Sequence, residues 1–235
     1  MYHEITNKSL KGCDFIKIIG VLTAFLGMIF LGYYVIEDDL PNHQPSALYD
    51  SSIRLDVYID NGIKHGSAVI FDEDQDNYYL LTNHHVIDEA KSISAVDYYN
   101  NSYEASLIEL SGQSIYDLAI LKIQKKIELS VLEISTNYQI NDSIRSIGFP
   151  NSIFGITYGE VLMKEVIDHE VSFPVIHHSA FIDHGSSGGA LVDQNLKIIG
   201  INFAVKIENK TYIESYAIPA EKILEYLSII GYEMR

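Results

Sequence analysis

Residues 183–192 read Asp183-His-Gly-Ser-Ser-Gly-Gly-Ala-Leu-Val192, two serines set among three glycines. Gly185, Gly188 and Gly189 allow a tight turn whose backbone can take positive φ, so that its amides can line a small concavity. Acyl transfer needs such amides, about 2.7–3.1 Å from where an oxyanion develops. A serine beside them is a candidate nucleophile, but its hydroxyl is weak without a base. His84 and His85 stand where the apolar run Leu80-Leu81-Thr82 gives way to a turn, and Asp117 stands at the entrance of the apolar run Leu118–Leu121. An imidazole of that pair could take the hydroxyl proton, and the carboxylate could orient the ring. Each has an ordinary alternative: a Ser/Gly turn, a surface histidine at a strand end, an aspartate in a turn before a strand. The case for chemistry rests on their occurring together, in the order His, Asp, Ser.

Residues 185–189 also fit G-x-S-x-G, the nucleophile elbow of a strand–turn–helix unit. That arrangement requires the histidine after the serine, and no histidine follows position 184. The elbow reading therefore fails. Metal chemistry is not expected either. His84-His85 and His177-His178 are adjacent pairs whose side chains would point to opposite faces of a strand, and the chain has neither H-E-x-x-H nor a cysteine cluster. No cofactor is implied.

The elements that must carry these residues follow from a period of two. Ser52–Ile59 alternates apolar and polar residues, as a half-buried strand does. Similar runs recur near 66–71, 78–82, 92–97, 103–110 and 118–123, then near 143–148, 159–167, 175–179, 190–192, 197–203 and 212–218. Turns rich in Asn, Asp and Gly separate them, such as Asp60-Asn61-Gly62. Ala220–Ile230, entered after Pro219, is the one convincing helix outside the N-terminal region. Twelve short strands closed by a terminal helix predict an all-β fold of two six-stranded antiparallel barrels. The histidine pair and Asp117 then fall in the first barrel and the serines in the second, with a site in the cleft between.

The combination resembles the chymotrypsin-like (trypsin-like) serine proteases, most closely the HtrA/Deg branch. The matching segments are TNHHV at 82–86, YDLAILKI at 116–123, IGFP at 147–150, GSSGGALV at 185–192, IIGIN at 198–202 and AIP at 217–219. The resemblance implies that His85, directly before Val86, is the general base, that Asp117 orients it, and that Ser187, directly before Gly188-Gly189, is the nucleophile. It implies an oxyanion hole from the amides of Gly185 and Ser187, and a serine endopeptidase acting on proteins or peptides. Phe181 and Ile182 would build an apolar substrate pocket suited to small or medium apolar residues, with His178 as a further candidate for its lining. The sequence departs from the family pattern at His184, at Ser186 (commonly Asn or Asp) and at Ala190 (commonly Pro). Without Asp at 186, activation by a new N-terminal amine is not expected. A PDZ domain usually follows AIP in the family, and the resemblance here is to a member lacking one. Relatives are often homo-oligomers. The altered loop also supports a second class of function, a catalytically silent protease-like domain serving as a binding or scaffold module.

The N-terminal region adds a membrane. Residues 18–36, IIGVLTAFLGMIFLGYYVI, are nineteen residues without a charge, about 28 Å as a helix against a hydrocarbon core of about 30 Å. Lys8, Lys11 and Lys17 precede the run and Glu37-Asp38-Asp39 follow it, which predicts a cytoplasmic N-terminus and an extracytoplasmic remainder. A cleaved signal peptide would have a shorter apolar run and a small-x-small site, absent from 32–39. The expected organisation is a cytoplasmic stub at 1–17, a single transmembrane anchor at 18–36 in contact with the lipid bilayer, a linker at 37–47 and a protease domain at 48–235, in a bacterial cell envelope. Charge agrees with this division. Residues 1–36 hold three Lys against Glu4 and Asp14, leaving 13 basic and 30 acidic residues, a net −17, in the rest of a chain whose total is −16. So acidic a surface repels phosphate backbones and excludes nucleic acid as a partner. The lone Cys13 falls in the stub, so the fold rests on its core and not on disulfides.

Overall fold

The computed structural model describes residues 45–109, 115–165, 171–208 and 211–235. The expected stub, anchor and first part of the linker lie outside the described residues. Among the described residues no helix is long and apolar enough to cross a membrane.

A short helix α1 (Pro45–Ser51) leads into the first barrel: β1 (Ser52–Ile59), β2 (Gly62–Glu73), β3 (Asn77–Thr82), a one-turn helix α2 (His84–Ile87), β4 (Ser92–Asp97), β5 (Ser102–Glu109) and β6 (Ala119–Gln124). The second contains β7 (Ser143–Gly148), a 3₁₀ turn (Pro150–Ser152), β8 (Gly155–Glu165), β9 (Val175–His178), β10 (Ala190–Val192), β11 (Ile198–Glu208) and β12 (Thr211–Pro219), followed by α3 (Ala220–Ile229). Both sheets close, in the orders β1-β2-β3-β6-β5-β4 and β10-β11-β12-β9-β8-β7, through antiparallel neighbours. Closure removes the sheet edges that would otherwise invite pairing with other chains. The two six-stranded barrels and terminal helix are those the strand periodicity predicts. The helices α1 and α2 were not anticipated, since seven and four residues, two turns or fewer, leave too short an apolar period to read.

Alternation explains how each strand is divided between cores. On β1, Ile53, Leu55 and Val57 are fully buried inside the first barrel, while Arg54 and Asp56 face outward and pair with each other at 3.0 Å. Strands β2, β3 and β6 bury both faces, which is why they read as nearly continuous apolar runs. Ala68 and Ile70, Tyr78 and Leu80, and Ala119, Leu121 and Ile123 fill the barrel interior. Their neighbours Val69 and Phe71, Tyr79 and Leu81, and Leu118 and Ile120 belong to a larger core. That core also contains Ile147, Ala190, Val192, Ile201 and Phe203 of the second barrel and Ile223, Tyr226 and Leu227 of α3. A smaller cluster, including Ile144, Val161, Ile176 and Ile199, fills the second barrel. Each fully buried Ile or Leu in the shared core contributes about 1.5–3 kcal/mol, so burial at the seam between the barrels stabilises the fold as burial in their interiors does.

The chain end returns to the first barrel. The Tyr116 hydroxyl donates to Glu225 of α3 at 2.6 Å, and the Tyr232 hydroxyl donates to the buried Asp72 carboxylate at 2.8 Å. The seam is therefore crossed by core packing, the helix and the tail together.

Candidate active site

At the top of the first barrel, β3 and β6 pair so that Thr82 faces Ala119, which brings the residues just beyond Thr82 against those just before Ala119. Asp117 occupies that corner at φ +51°, a left-handed conformation that Asp tolerates better than most residues. Its carbonyl accepts the His84 N–H at 3.1 Å and the Asn83 Nδ2–H at 3.0 Å. Its carboxylate takes His85 twice, the backbone N–H on Oδ1 at 2.9 Å and Nδ1 on Oδ2 at 2.7 Å. A carboxylate accepts only, so Nδ1 carries the proton and Nε2 is left as the acceptor. The His85 side chain is half exposed and that of Asp117 mostly covered. Such a ring has a fixed tautomer and an open basic edge.

Ser187 lies in the loop before β10. Its carbonyl accepts the Ser67 N–H of β2 at 2.8 Å, so the loop is tied directly to the first barrel. Gly188, at φ +86°, sits so close that a Cβ there would meet the Ser67 carbonyl oxygen at 2.1 Å and Thr82 Oγ1 at 2.3 Å. Thr82 is three residues before His85, which sets the loop against the same strand end that carries the imidazole. Behind the loop, Gly188 N–H donates to the Asn202 carbonyl and Asn202 N–H to the Gly189 carbonyl, both at 2.9 Å. The Asn202 side chain adds bonds to Gly189 O at 3.1 Å and Ser146 Oγ at 2.9 Å. The Ser187 hydroxyl is turned toward the Phe203 carbonyl, 3.4 Å away. In this rotamer it makes no hydrogen bond to His85.

The peptide planes of this loop are set in one sense. The His184 carbonyl accepts the Asn151 N–H at 2.8 Å, and the Ser186 carbonyl accepts the Gly189 N–H at 2.9 Å. A trans peptide directs its N–H opposite to its C=O, so these two bonds turn the amides of Gly185 and Ser187 away from the loop's own acceptors. Neither amide donates to a protein acceptor among the described residues. Two free, preset donors beside a serine are what an oxyanion requires.

The departures at 184, 186 and 190 fit this loop. The Ser186 hydroxyl accepts the Asp183 N–H at 3.2 Å and its own N–H returns to the Asp183 carbonyl, closing the turn. The His184 ring is exposed, with its backbone N–H held by Asp183 Oδ1 at 2.7 Å, and Ala190 is fully buried opposite Ile201. Of the three pocket candidates, Phe181 is half exposed at 48 % and Ile182 is buried. His178 is fully enclosed on β9 between Val161 and Ser215, and burial pushes its imidazole down to about 3, so it is neutral. Among the described residues no cluster of His, Cys, Asp or Glu could hold a metal.

Sequence reading missed Ser67, Asn83, Asn151 and Asn202. Each works by bonding backbone groups of another segment, a role without a local side-chain signature. Only the small polar residue at the head of the apolar run in Gly66-Ser67-Ala68-Val69 hinted at one of them.

Comparison with known proteins agrees with this geometry. Residues 66–201, more than half of the chain, match the trypsin-like peptidase domain family. The chain is 31 % identical over 173 residues to the probable periplasmic serine endoprotease DegP-like of Chlamydia trachomatis, covering 69 % of this chain and 33 % of that protein. It is 35 % identical over 148 residues to the periplasmic pH-dependent serine endoprotease DegQ of Escherichia coli, covering 60 % and 31 %. It thus spans about a third of the length of these relatives. Among solved structures, the HtrA-type protease AlgW with tripeptide superposes with a TM-score of 0.68 at 29 % identity, over 79 % of this chain and 62 % of the other. The serine endoprotease from Yersinia pestis gives 0.65 at 28 %, over 83 % and 70 %. With its two closed barrels, its His85–Asp117 pair and its glycine-bounded serine loop, the chain belongs to the trypsin-like peptidase family, in the HtrA branch.

Proposed function

We propose that the chain is a membrane-anchored serine endopeptidase that cleaves proteins or peptides outside the cytoplasm. The observation that carries this reading is the 2.7 Å bond from His85 Nδ1 to Asp117, which leaves Nε2 as an open base at the strand end against which the serine loop packs. On substrate binding the Ser187 hydroxyl turns from the Phe203 carbonyl toward Nε2. Oγ adds to the scissile carbonyl as its proton passes to Nε2, and the oxygen, now anionic, lies against the amides of Gly185 and Ser187. The imidazolium, stabilised by Asp117, protonates the leaving amine as the C–N bond breaks, giving an acyl-enzyme. Water, deprotonated by the same nitrogen, then adds to the acyl carbon and releases Ser187. The half-exposed Phe181 beside the loop supports an apolar substrate pocket formed with Ile182. The names of the relatives, two of them periplasmic endoproteases, support the extracytoplasmic setting, and the uncharged run at 18–36 with its basic and acidic flanks supports the anchor.

A fluorophosphonate probe tests the chemistry. Labelling of the wild type that is lost in Ser187→Ala and retained in Ser186→Ala is expected. A folded wild-type chain that takes no label would overturn the assignment and leave a silent domain.

A further inference from the structure

The loop that holds Ser187 belongs to the second barrel, yet the group that sets its shape comes from the first. Ser67 on β2 has no exposed surface, and each of its polar groups is committed to this junction. Its hydroxyl donates to the Gly185 carbonyl at 2.7 Å and accepts the Phe149 N–H at 2.8 Å. Its N–H donates to the Ser187 carbonyl at 2.8 Å, and its carbonyl accepts the Thr82 hydroxyl at 2.7 Å.

Gly185 is where such control matters. It sits at φ +94°, and a glycine has the widest choice of φ and ψ of any residue. Its N–H lies in the plane of the His184 carbonyl, and that plane is steadied across so permissive a residue when the carbonyls on both sides are held. The His184 carbonyl is held by Asn151, which fixes the plane bearing the Gly185 N–H. The Gly185 carbonyl is held by the Ser67 hydroxyl, which fixes the next plane, and the Ser186 N–H of that plane is held by the Asp183 carbonyl at 2.9 Å. The two clamps pin both dihedrals of Gly185.

We propose that Ser67 is the positioning residue of the oxyanion hole: through the Gly185 carbonyl it sets the aim of the Gly185 N–H and couples that aim to the first barrel, which carries His85. This rests on the peptidase reading above. Ser67 touches no reacting atom. Without its hydroxyl the Gly185 carbonyl and the buried Phe149 N–H both lose a partner, and the plane beyond Gly185 is left with the Ser186 N–H bond alone to hold it.

The test uses the full chain and Ala-Ala-Val aldehyde labelled with carbon-13 at the carbonyl, whose adduct with Ser187 is a hemiacetal. Carbon-13 NMR follows the ionisation of the hemiacetal hydroxyl, which the hole promotes. In Ser67→Ala the adduct is expected to form with its oxyanion pKa raised by about one unit, as roughly tenfold weaker stabilisation requires. The value of kcat per titrated active site should fall about 10-fold with KM little changed. Gly148→Ala provides a second variant, because a Cβ there would lie 2.9 Å from Ser67 Oγ and crowd the hydroxyl while leaving residue 67 intact. It should shift the oxyanion pKa in the same direction, and it carries the test if Ser67→Ala does not fold. A merely structural brace would lower the melting temperature or the titratable fraction and leave the oxyanion pKa unchanged. That result in the folded variants overturns the proposal. A wild type that forms no adduct overturns the peptidase reading and this inference with it, a different outcome from adducts with unshifted ionisation.

Discussion

One carboxylate holds one histidine at two points: Asp117 accepts the ring Nδ1–H of His85 on Oδ2 at 2.7 Å and its backbone N–H on Oδ1 at 2.9 Å. The double bond makes Asp117→Asn a clean probe. Asparagine tolerates the positive φ at 117, so the corner should survive. Its amide can donate to Nδ1, which then becomes the acceptor and moves the proton to Nε2. The ring would keep its place and lose its basic edge. Hydrolysis of a peptide substrate near pH 7 should fall by about 10³- to 10⁴-fold in kcat, with circular dichroism and melting temperature near those of the wild type. A loss below tenfold would show that His85 does not depend on Asp117 for its tautomer.

The serine loop approaches the first barrel more closely than a side chain allows. Gly188→Ala combines a positive φ with a Cβ 2.1 Å from the Ser67 carbonyl, and neither β2 nor the buried Thr82 can retreat. A cost of about 3 kcal/mol or more is expected from strain and overpacking together. Gly231→Ala is the control: its φ is +70°, but nothing lies within 4 Å of a Cβ there, so it should lose only about 1 kcal/mol. Urea denaturation of both variants separates the terms. Equal losses would mean that the barrels do not press on the loop as described.

What could be read from the sequence follows from which interactions leave a mark on residue types. The strands were legible because inward and outward positions alternate, as with Ile53, Leu55 and Val57 against Arg54 and Asp56. His85, Asp117 and Ser187 were legible as candidates because the chemistry proposed for them needs those side chains at strand ends and among glycines. Ser67 and Asn151 were not, since they bind the carbonyls of Gly185 and His184, and every residue offers a carbonyl. Their partners lie 118 and 33 positions away, separations that only the folded barrels bring together. The resemblance to a family pointed to the residues proposed to react and was silent on Ser67 and Asn151.

The charge division argues for a defined topology, and the chain can be tested at both ends. The chain of residues 1–235 should sediment with membranes and resist extraction by high salt, whereas residues 45–235 should remain in the supernatant. A reporter fused after Arg235 should be active only on the far side of the membrane, because Lys8, Lys11 and Lys17 favour retention of the N-terminus in the cytoplasm. Cytoplasmic activity of that reporter would reverse the orientation and with it the extracytoplasmic assignment.

His178 gives the second barrel a sensitivity to acid that can be separated from that of the carboxylates. Burial holds its folded-state imidazole at about 3, whereas in the unfolded chain it titrates near the ordinary value of about 6.5. Below about 6.5 the unfolded state therefore binds a proton that the folded state refuses. Stability contributed by the neutral ring is fully present above about 6.5 and is lost as pH falls toward 3, by roughly 1.4 kcal/mol per unit. His178→Phe removes this titration and leaves the other groups in place, so the difference between the two proteins isolates it. Between pH 6.5 and 4.5 the wild type should lose on the order of 2–3 kcal/mol more in urea denaturation than the variant. Parallel profiles would show that the ring accepts its proton without leaving the fold.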